Sequence, residues 1–194
     1  MGNANDKKQI WKPGNMLYPV PAVMVSCADR EGRKNIITVA WTGTICSEPA
    51  MVSISVRPER YSYDMIRKTK EFVINLTTKD LTYATDWCGV KSGRDVDKFR
   101  EMKLTAAKGN QLLYAPIIVE SPVNIECKVI ETAELGSHTM FIAEVLDVMV
   151  SEKYMNESGK FELNKLGLVA YSHGEYFALG EKIGKFGYSV KKQH

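Results

Sequence analysis

Arg57, Arg60 and Ser62 are the residues of this chain best suited by type and spacing to hold a phosphate. Each guanidinium presents a planar fork of donors to anionic oxygens, and a hydroxyl at a helix start stands beside backbone N–H groups that lack a helical partner. Ser62 is placed to cap a helix over residues 63–70, whose positive dipole end adds to the attraction. The same residues also read as a helix that caps itself beside two solvated arginines. Met65, where a capping box places Glu or Gln, leaves the helix start without its usual internal acceptor. Upstream, Thr42, Gly43 and Thr44 form a loop of small side chains in which a flat aromatic ligand can approach the backbone closely. Trp41, just before that loop, suits stacking on a ring and suits a core position equally.

The elements that must position these residues form one connected unit. A strand over residues 36–41 runs into the small-residue loop; a turn at Glu48-Pro49 follows, and a second strand alternates over 51–56 before the arginines. An earlier strand over 22–28 is joined to the first through Asp29-Arg30-Glu31-Gly32, a hairpin turn in which Gly32 is free to take a positive φ. Residues 71–76 are a short Val-Ile run that favours strand. The polar, glycine-punctuated stretch 77–110 carries short helices near 81–88 and 96–102. Long strands are expected over 121–132 and 139–151, with Asn124, Glu126 and Lys128 alternating against Val123, Ile125, Cys127 and Val129. The pattern predicts a mainly β fold, a closed antiparallel barrel with a few short helices, closure being the means of removing exposed edges. Residues 1–15 are polar, contain Pro13-Gly14 and read as an arm; residues 16–194 read as one domain.

Composition narrows the function classes. With 194 residues, 44% of them hydrophobic, the chain can build one substantial core. The net charge is +3, and the basic residues are dispersed apart from Lys185, Lys191 and Lys192, so no stripe suits a nucleic-acid backbone. Cys27, Cys46, Cys88 and Cys127 lie far apart with no histidine at ligand spacing, which argues against a metal site. No apolar run follows Lys7 and Lys8 or reaches the length of a membrane span, so a cytoplasmic protein with reduced thiols and no membrane partner is expected. Cys46, near the small-residue loop, reads as a small hydrophobe. His138 follows Gly136-Ser137 and opens a strand, where an imidazole can donate to a ligand or steady the turn. His194 is simply the last residue. Gly180, Gly184 and Gly187 lack the spacing and the βαβ context of a dinucleotide fingerprint.

Residues 35–76, with Ser92-Gly93 followed by Asp97-Lys98-Phe99, the Gly136-Ser137-His138 triplet and the closing Tyr171…Tyr176…Leu179-Gly180 stretch, resemble the flavin reductase-like family, the FMN-binding split barrel, in its flavoredoxin and ferric reductase-like branch. The resemblance spans residues 19–187, and departs at Ser137, where many relatives carry an acidic residue. It implies a split barrel with bound FMN. Thr42, Gly43, Thr44 and Ile45 would border the isoalloxazine with Trp41 nearby, and Arg57, Arg60 and Ser62 would take the phosphate. Ser92 and Lys98 would reach the phosphate or ribityl chain, and His138 would stand where the nicotinamide docks. The implied activity is that of an FMN-dependent oxidoreductase. It would accept a hydride from NADH or NADPH at flavin N5 and pass electrons to free flavin, ferric iron or an electron-acceptor protein. Two alternatives stay open: a flavoredoxin-like carrier whose FMN is reduced by a protein partner, and a non-catalytic flavin-binding barrel. The resemblance also implies a homodimer with the flavin at or near the interface, since a small barrel is filled by its own side chains. Tyr171, Tyr176, Phe177, Phe186 and Tyr188 suit such a surface, or equally the monomer's own core.

Overall fold

Asp29 sets the first turn: its Oδ1 accepts from Glu31 N at 3.0 Å and Arg33 N at 2.9 Å, while Gly32 takes φ 87°. The structure is a computed structural model describing residues 7–190. Residues 1–6 of the expected arm, and Lys191, Lys192 and His194, lie outside the described residues. The strands are β1 Val20–Pro21, β2 Val23–Ala28, β3 Lys34–Val39, β4 Thr42–Ser47, β5 Ala50–Val56, β6 Glu71–Leu76, β7 Ala106–Ala107, β8 Ile117–Ile118, β9 Val123–Glu134, β10 Thr139–Val150, β11 Val169–Ser172 and β12 Glu175–Ala178. The α-helices are α1 Tyr61–Thr69, α2 Thr82–Val90 and α3 Lys98–Glu101.

Seven strands form one antiparallel sheet in the order β3-β2-β6-β9-β10-β5-β4. One face curls around a single core in which Val25, Ile54, Phe72, Cys127 and Phe141 meet, with Met65 and Ile66 of α1 packed into it. The fold is mainly β with short helices, as the alternation predicts, but the expected closed barrel is corrected: β3 and β4 stay as unpaired edges. The reason lies in the chain path. β3 and β4 are joined through Ala40-Trp41, so they diverge at a corner where Trp41 O accepts from Ser55 N at 2.8 Å. The β3 side is covered by helices instead: Ile36 packs with Ala84 and Cys88 of α2 and Phe99 of α3. Covering an edge protects it as closure would. A second correction follows from β4, since Thr42, Gly43 and Thr44 are strand residues paired with Ile54, Ser53 and Val52, not a loop.

The opposite face of β2, β6 and β9 is also buried, and it carries Asn124 and Glu126, polar members of the β9 alternation. The segment from Leu104 to Ser121 crosses this face, and its backbone groups are satisfied by polar side chains of the strands. Ile118 N donates to Asn75 Oδ1 at 3.0 Å, Ser26 Oγ donates to Pro116 O at 2.5 Å, and Asn124 Nδ2 donates to Ile118 O at 2.9 Å. Two carboxylates do most of the anchoring. Glu71 Oε2 accepts from Tyr114 N at 2.7 Å and Ala115 N at 3.3 Å, and Glu126 Oε2 from Asn110 N at 3.0 Å and Gln111 N at 2.9 Å. Glu71→Leu keeps the bulk and removes the acceptor of two N–H groups, so it is expected to lower stability by roughly 2–4 kcal/mol. Urea unfolding should show a lower midpoint at unchanged slope; a midpoint equal to wild type would mean that water satisfies the crossing segment.

Candidate functional site

The arginines sit on the turn that leaves β5, where Arg60 N donates to Arg57 O at 3.0 Å, and both side chains are exposed. Helix α1 begins two residues earlier than the serine reading requires. Arg60 is its N-cap, with no side-chain capping bond, and Ser62 lies inside the first turn. Ser62 is 0% exposed and its Oγ accepts from Asn35 Nδ2 at 2.8 Å, so the structure corrects its expected roles as a cap and as a phosphate ligand. Asp64 supplies the negative charge that the helix start favours. Lys98 is also turned inward: 5% exposed, it donates Nζ to Ile36 O at 2.7 Å and Cys88 O at 2.6 Å. Burial lowers its pKa, an effect that the Cys88 and Cys27 thiols partly oppose.

Three neighbouring clefts share walls along this side of the sheet. The middle one, about 320 Å³, brings together Trp41, Arg57, Arg60, His138, Tyr171 and Tyr176. An outer cleft of about 630 Å³ shares Trp41, Ser55 and His138 with it and adds Thr42, Gly43 and Leu17. An inner cleft of about 170 Å³ shares Arg60 and Gly89 and adds Asn35, Ser92, Gly93 and Lys98. Thr44 and Ile45 line none of the three; they lie further along β4, where Ile45 is 47% exposed. Of the expected residues, the groove therefore gathers Trp41, Thr42, Gly43, Arg57, Arg60, Ser92, Lys98 and His138.

His138 is half-buried, its Nδ1 2.9 Å from Ser137 Oγ, and its own carbonyl accepts from Leu135 N to close the β9–β10 hairpin. Burial first, then the Arg57 charge, holds its pKa below the ordinary value, so the ring is neutral at pH 7. Tyr171 and Tyr176, which the sequence offers for a dimer surface or the core, wall the middle cleft. Their rings meet edge-on at 5.5 Å, Tyr18 lies 6.2 Å from Tyr171 and 6.3 Å from Trp41, and Tyr176 OH donates to Asp86 Oδ1 at 3.2 Å. Sequence reasoning missed Gly89 and Asn35. A Cβ on Gly89 would stand 3.1 Å from Thr38 Cβ, so α2 rests on β3 at glycine distance; a glycine inside a helical run was the available signal. Burial pushes the Cys27 and Cys127 thiols up to about 12 and that of Cys88 to about 11.

The groove has guanidinium groups toward one end and an aromatic wall with a neutral imidazole toward the other, a match for an elongated ligand with a ring and an anionic tail. Lys98 sharpens the fit to a phosphate: of three N–H donors, two are used on carbonyls, and the remaining one has no protein acceptor among the described residues. The structure of flavoredoxin from Desulfovibrio vulgaris (Miyazaki F) is 33% identical and superposes with a TM-score of 0.87 over 95% of this chain and 100% of that one. A split barrel domain protein of Shewanella frigidimarina, 22% identical, shares the fold at a TM-score of 0.78 over 88% of this chain and 86% of that one. The reductase component of a 4-nitrophenol monooxygenase from Rhodococcus opacus is 25% identical over 64% of this chain and 63% of that protein. The family model described as flavin reductase like domain matches residues 16–180, and the chain belongs to that family.

Proposed function

We propose that this protein binds FMN in the groove and acts as an oxidoreductase that takes electrons from NADH or NADPH and passes them on. The observation that carries the reading is the run of clefts from Trp41 and His138 through Arg60 to Ser92 and Lys98. Bound FMN would supply the hydride acceptor at N5 and the two-electron store. The chain supplies the rest. Arg60, Ser92, the Gly93 backbone and the Lys98 ammonium hold the phosphate, with Arg57 adding charge at the shared rim. Trp41 and the backbone of Thr42 and Gly43, on an edge strand with one row of groups facing no other strand, border the ring. The neutral His138 imidazole orients the nicotinamide as a hydrogen-bond partner and adds no charge. Tyr171 and Tyr176 shield the middle cleft from water.

The likeness to flavoredoxin supports a second reading, a carrier whose FMN is reduced by a protein partner. Anaerobic mixing of the yellow holoprotein with NADH or NADPH separates the two. Bleaching of the flavin band within seconds supports the enzyme, and no bleaching by either nucleotide supports the carrier. The onward acceptor is free flavin, ferric iron or a protein. The outer cleft opens between Leu17, Leu135 and β4, beside exposed Ile45, and covering these apolar groups is a task for a second copy in an isologous dimer.

Arg60→Ala removes a charge-assisted contact worth roughly 1.5–3 kcal/mol and should weaken FMN binding at least about tenfold. Ser62→Ala should leave that affinity unchanged while lowering thermal stability; flavin-fluorescence titration reads both variants, and equal affinity of Arg60→Ala and wild type would remove the phosphate site. His138→Ala should slow flavin reduction by the nicotinamide about tenfold while changing FMN affinity far less. Because its pKa is depressed, the wild-type reduction rate should be flat from pH 7 to 8 and change only below the ordinary histidine value of about 6.5; stopped-flow rates unaltered in the variant would leave His138 as a turn residue. Sedimentation equilibrium at micromolar concentration should give flavin absorbance at the mass of two chains, against which a loaded single chain would count decisively.

A further inference from the structure

The hairpin that carries Tyr171 and Tyr176 is mounted apart from the main sheet. β11 and β12 join only β1, in a separate three-stranded sheet. β1 is two residues long, and one of them, Pro21, has no N–H to give to the ladder. The hairpin is held firmly at its base, where Lys79 N donates to Gly167 O at 2.9 Å and Val169 N to Thr77 O at 3.2 Å, with Gly167 at φ 66°. Away from the base, a single side-chain hydrogen bond among the described residues ties residues 169–178 to the rest of the chain: Tyr176 OH donates to Asp86 Oδ1 on α2 at 3.2 Å. We infer that the β11–β12 hairpin is a flap over the middle cleft and that Asp86 is its latch, the Tyr176–Asp86 bond setting how fast a ligand enters and leaves. The occupant is the FMN of the reading above, and the inference rests on that reading for it.

The bond joins two walls of one cleft. Asp86 stands three residues before Gly89 on α2, nearly one helical turn away, and Gly89 lines both the middle and the inner cleft. On the other side Tyr176 lines the middle cleft with its half-buried ring and reaches out with its hydroxyl. Burial first, then the Asp86 charge, pushes the phenol up to about 12, so it keeps its proton and stays the donor at physiological pH. Asp86 is exposed, lines none of the three clefts and makes no other hydrogen bond or ion pair among the described residues. Its carboxylate is therefore spent on the flap alone. Once that bond breaks, little else holds this side: β12 is an edge strand, with Glu175 and Phe177 exposed on either side of Tyr176. A lone hydrogen bond open to water is weak enough to break repeatedly, as the latch of a gate must. Neither of its atoms belongs to the ligand, so it adds the same barrier to entry and to exit.

Asp86→Ala is the test variant. Stopped-flow mixing of the flavin-free protein with FMN reads entry, and fluorescence recovery after rapid dilution of the loaded protein reads release. Both rates should rise about fivefold in the variant while the Kd for FMN stays within about twofold. Tyr176→Phe keeps the ring, drops the hydroxyl and should speed release by a similar factor. The double variant should release FMN no faster than either single one, because the two groups act as one bond. Asp86→Asn retains a side-chain oxygen that accepts from the phenol, and it should restore rates to within about twofold of wild type. Unchanged rates in Asp86→Ala, or faster release matched by an equal loss of affinity, would overturn the latch, as would additive effects in the double variant. FMN failing to bind the wild type would overturn the flavin reading and leave the latch to hydrogen exchange on the flavin-free protein. There, faster exchange of the amides of residues 169–178 in Asp86→Ala upholds the latch, and equal exchange overturns it.

Discussion

A buried ammonium organises the site end of this molecule. Lys98 has given up its water, and the cost of that transfer is offset only because two main-chain carbonyls, from Ile36 on β3 and Cys88 on α2, stand within 2.7 Å. The carbonyls come from elements far apart in sequence, so one side chain ties the covering helices to the edge of the sheet. Thr38 Oγ1 donates to Thr85 O at the same seam, and Gly89 gives the closeness that both bonds need. A neutral or shorter side chain at position 98 would leave two buried carbonyls without a donor, and α2 would lose its reason to lie where it walls the groove.

The other half of the sheet obeys the same rule with the signs reversed. There the covering segment has only the short β7–β8 pairing, so other N–H groups along it need acceptors, and Glu71, Asn75 and Glu126 supply them from below. Glu126 Oε1 remains buried without a partner, pressed against Gly109, where a Cβ would lie 1.7 Å away. The sheet thus has a hydrocarbon face that drives folding and a polar face that fixes which segment covers it. Hydrophobic burial alone would not distinguish one covering path from another.

Much of this was legible in the sequence where local rules dominate. The strand at Glu71–Leu76, the Asp29-to-Gly32 hairpin and the long β9–β10 pair follow from alternation and turn chemistry. The failures share a cause, which is that fate was decided by partners distant in the chain. Ser62 has the residue type of a cap, but Asn35, 27 residues away, draws it into the interior. Lys98 has the type of a surface residue, yet position in three dimensions buries it. The alternation of Asn124 and Glu126 with apolar neighbours leaves open which partner satisfies them, because a covering segment and water leave the same pattern in sequence. Thr42 to Thr44 look like a loop because small residues seldom announce a strand; the pairing with β5 overrides their propensity. The fold gathers most of the groove residues supplied by the resemblance, and it adds Tyr171 and Tyr176 to the wall of the middle cleft.

The walls of the middle cleft run in sequence from Ala22 to Tyr176. The β11–β12 hairpin contributes Tyr171 and Tyr176, so the complete cleft joins walls from nearly the whole length of the domain. A ligand held there would stabilise that hairpin together with the sheet, through its binding free energy.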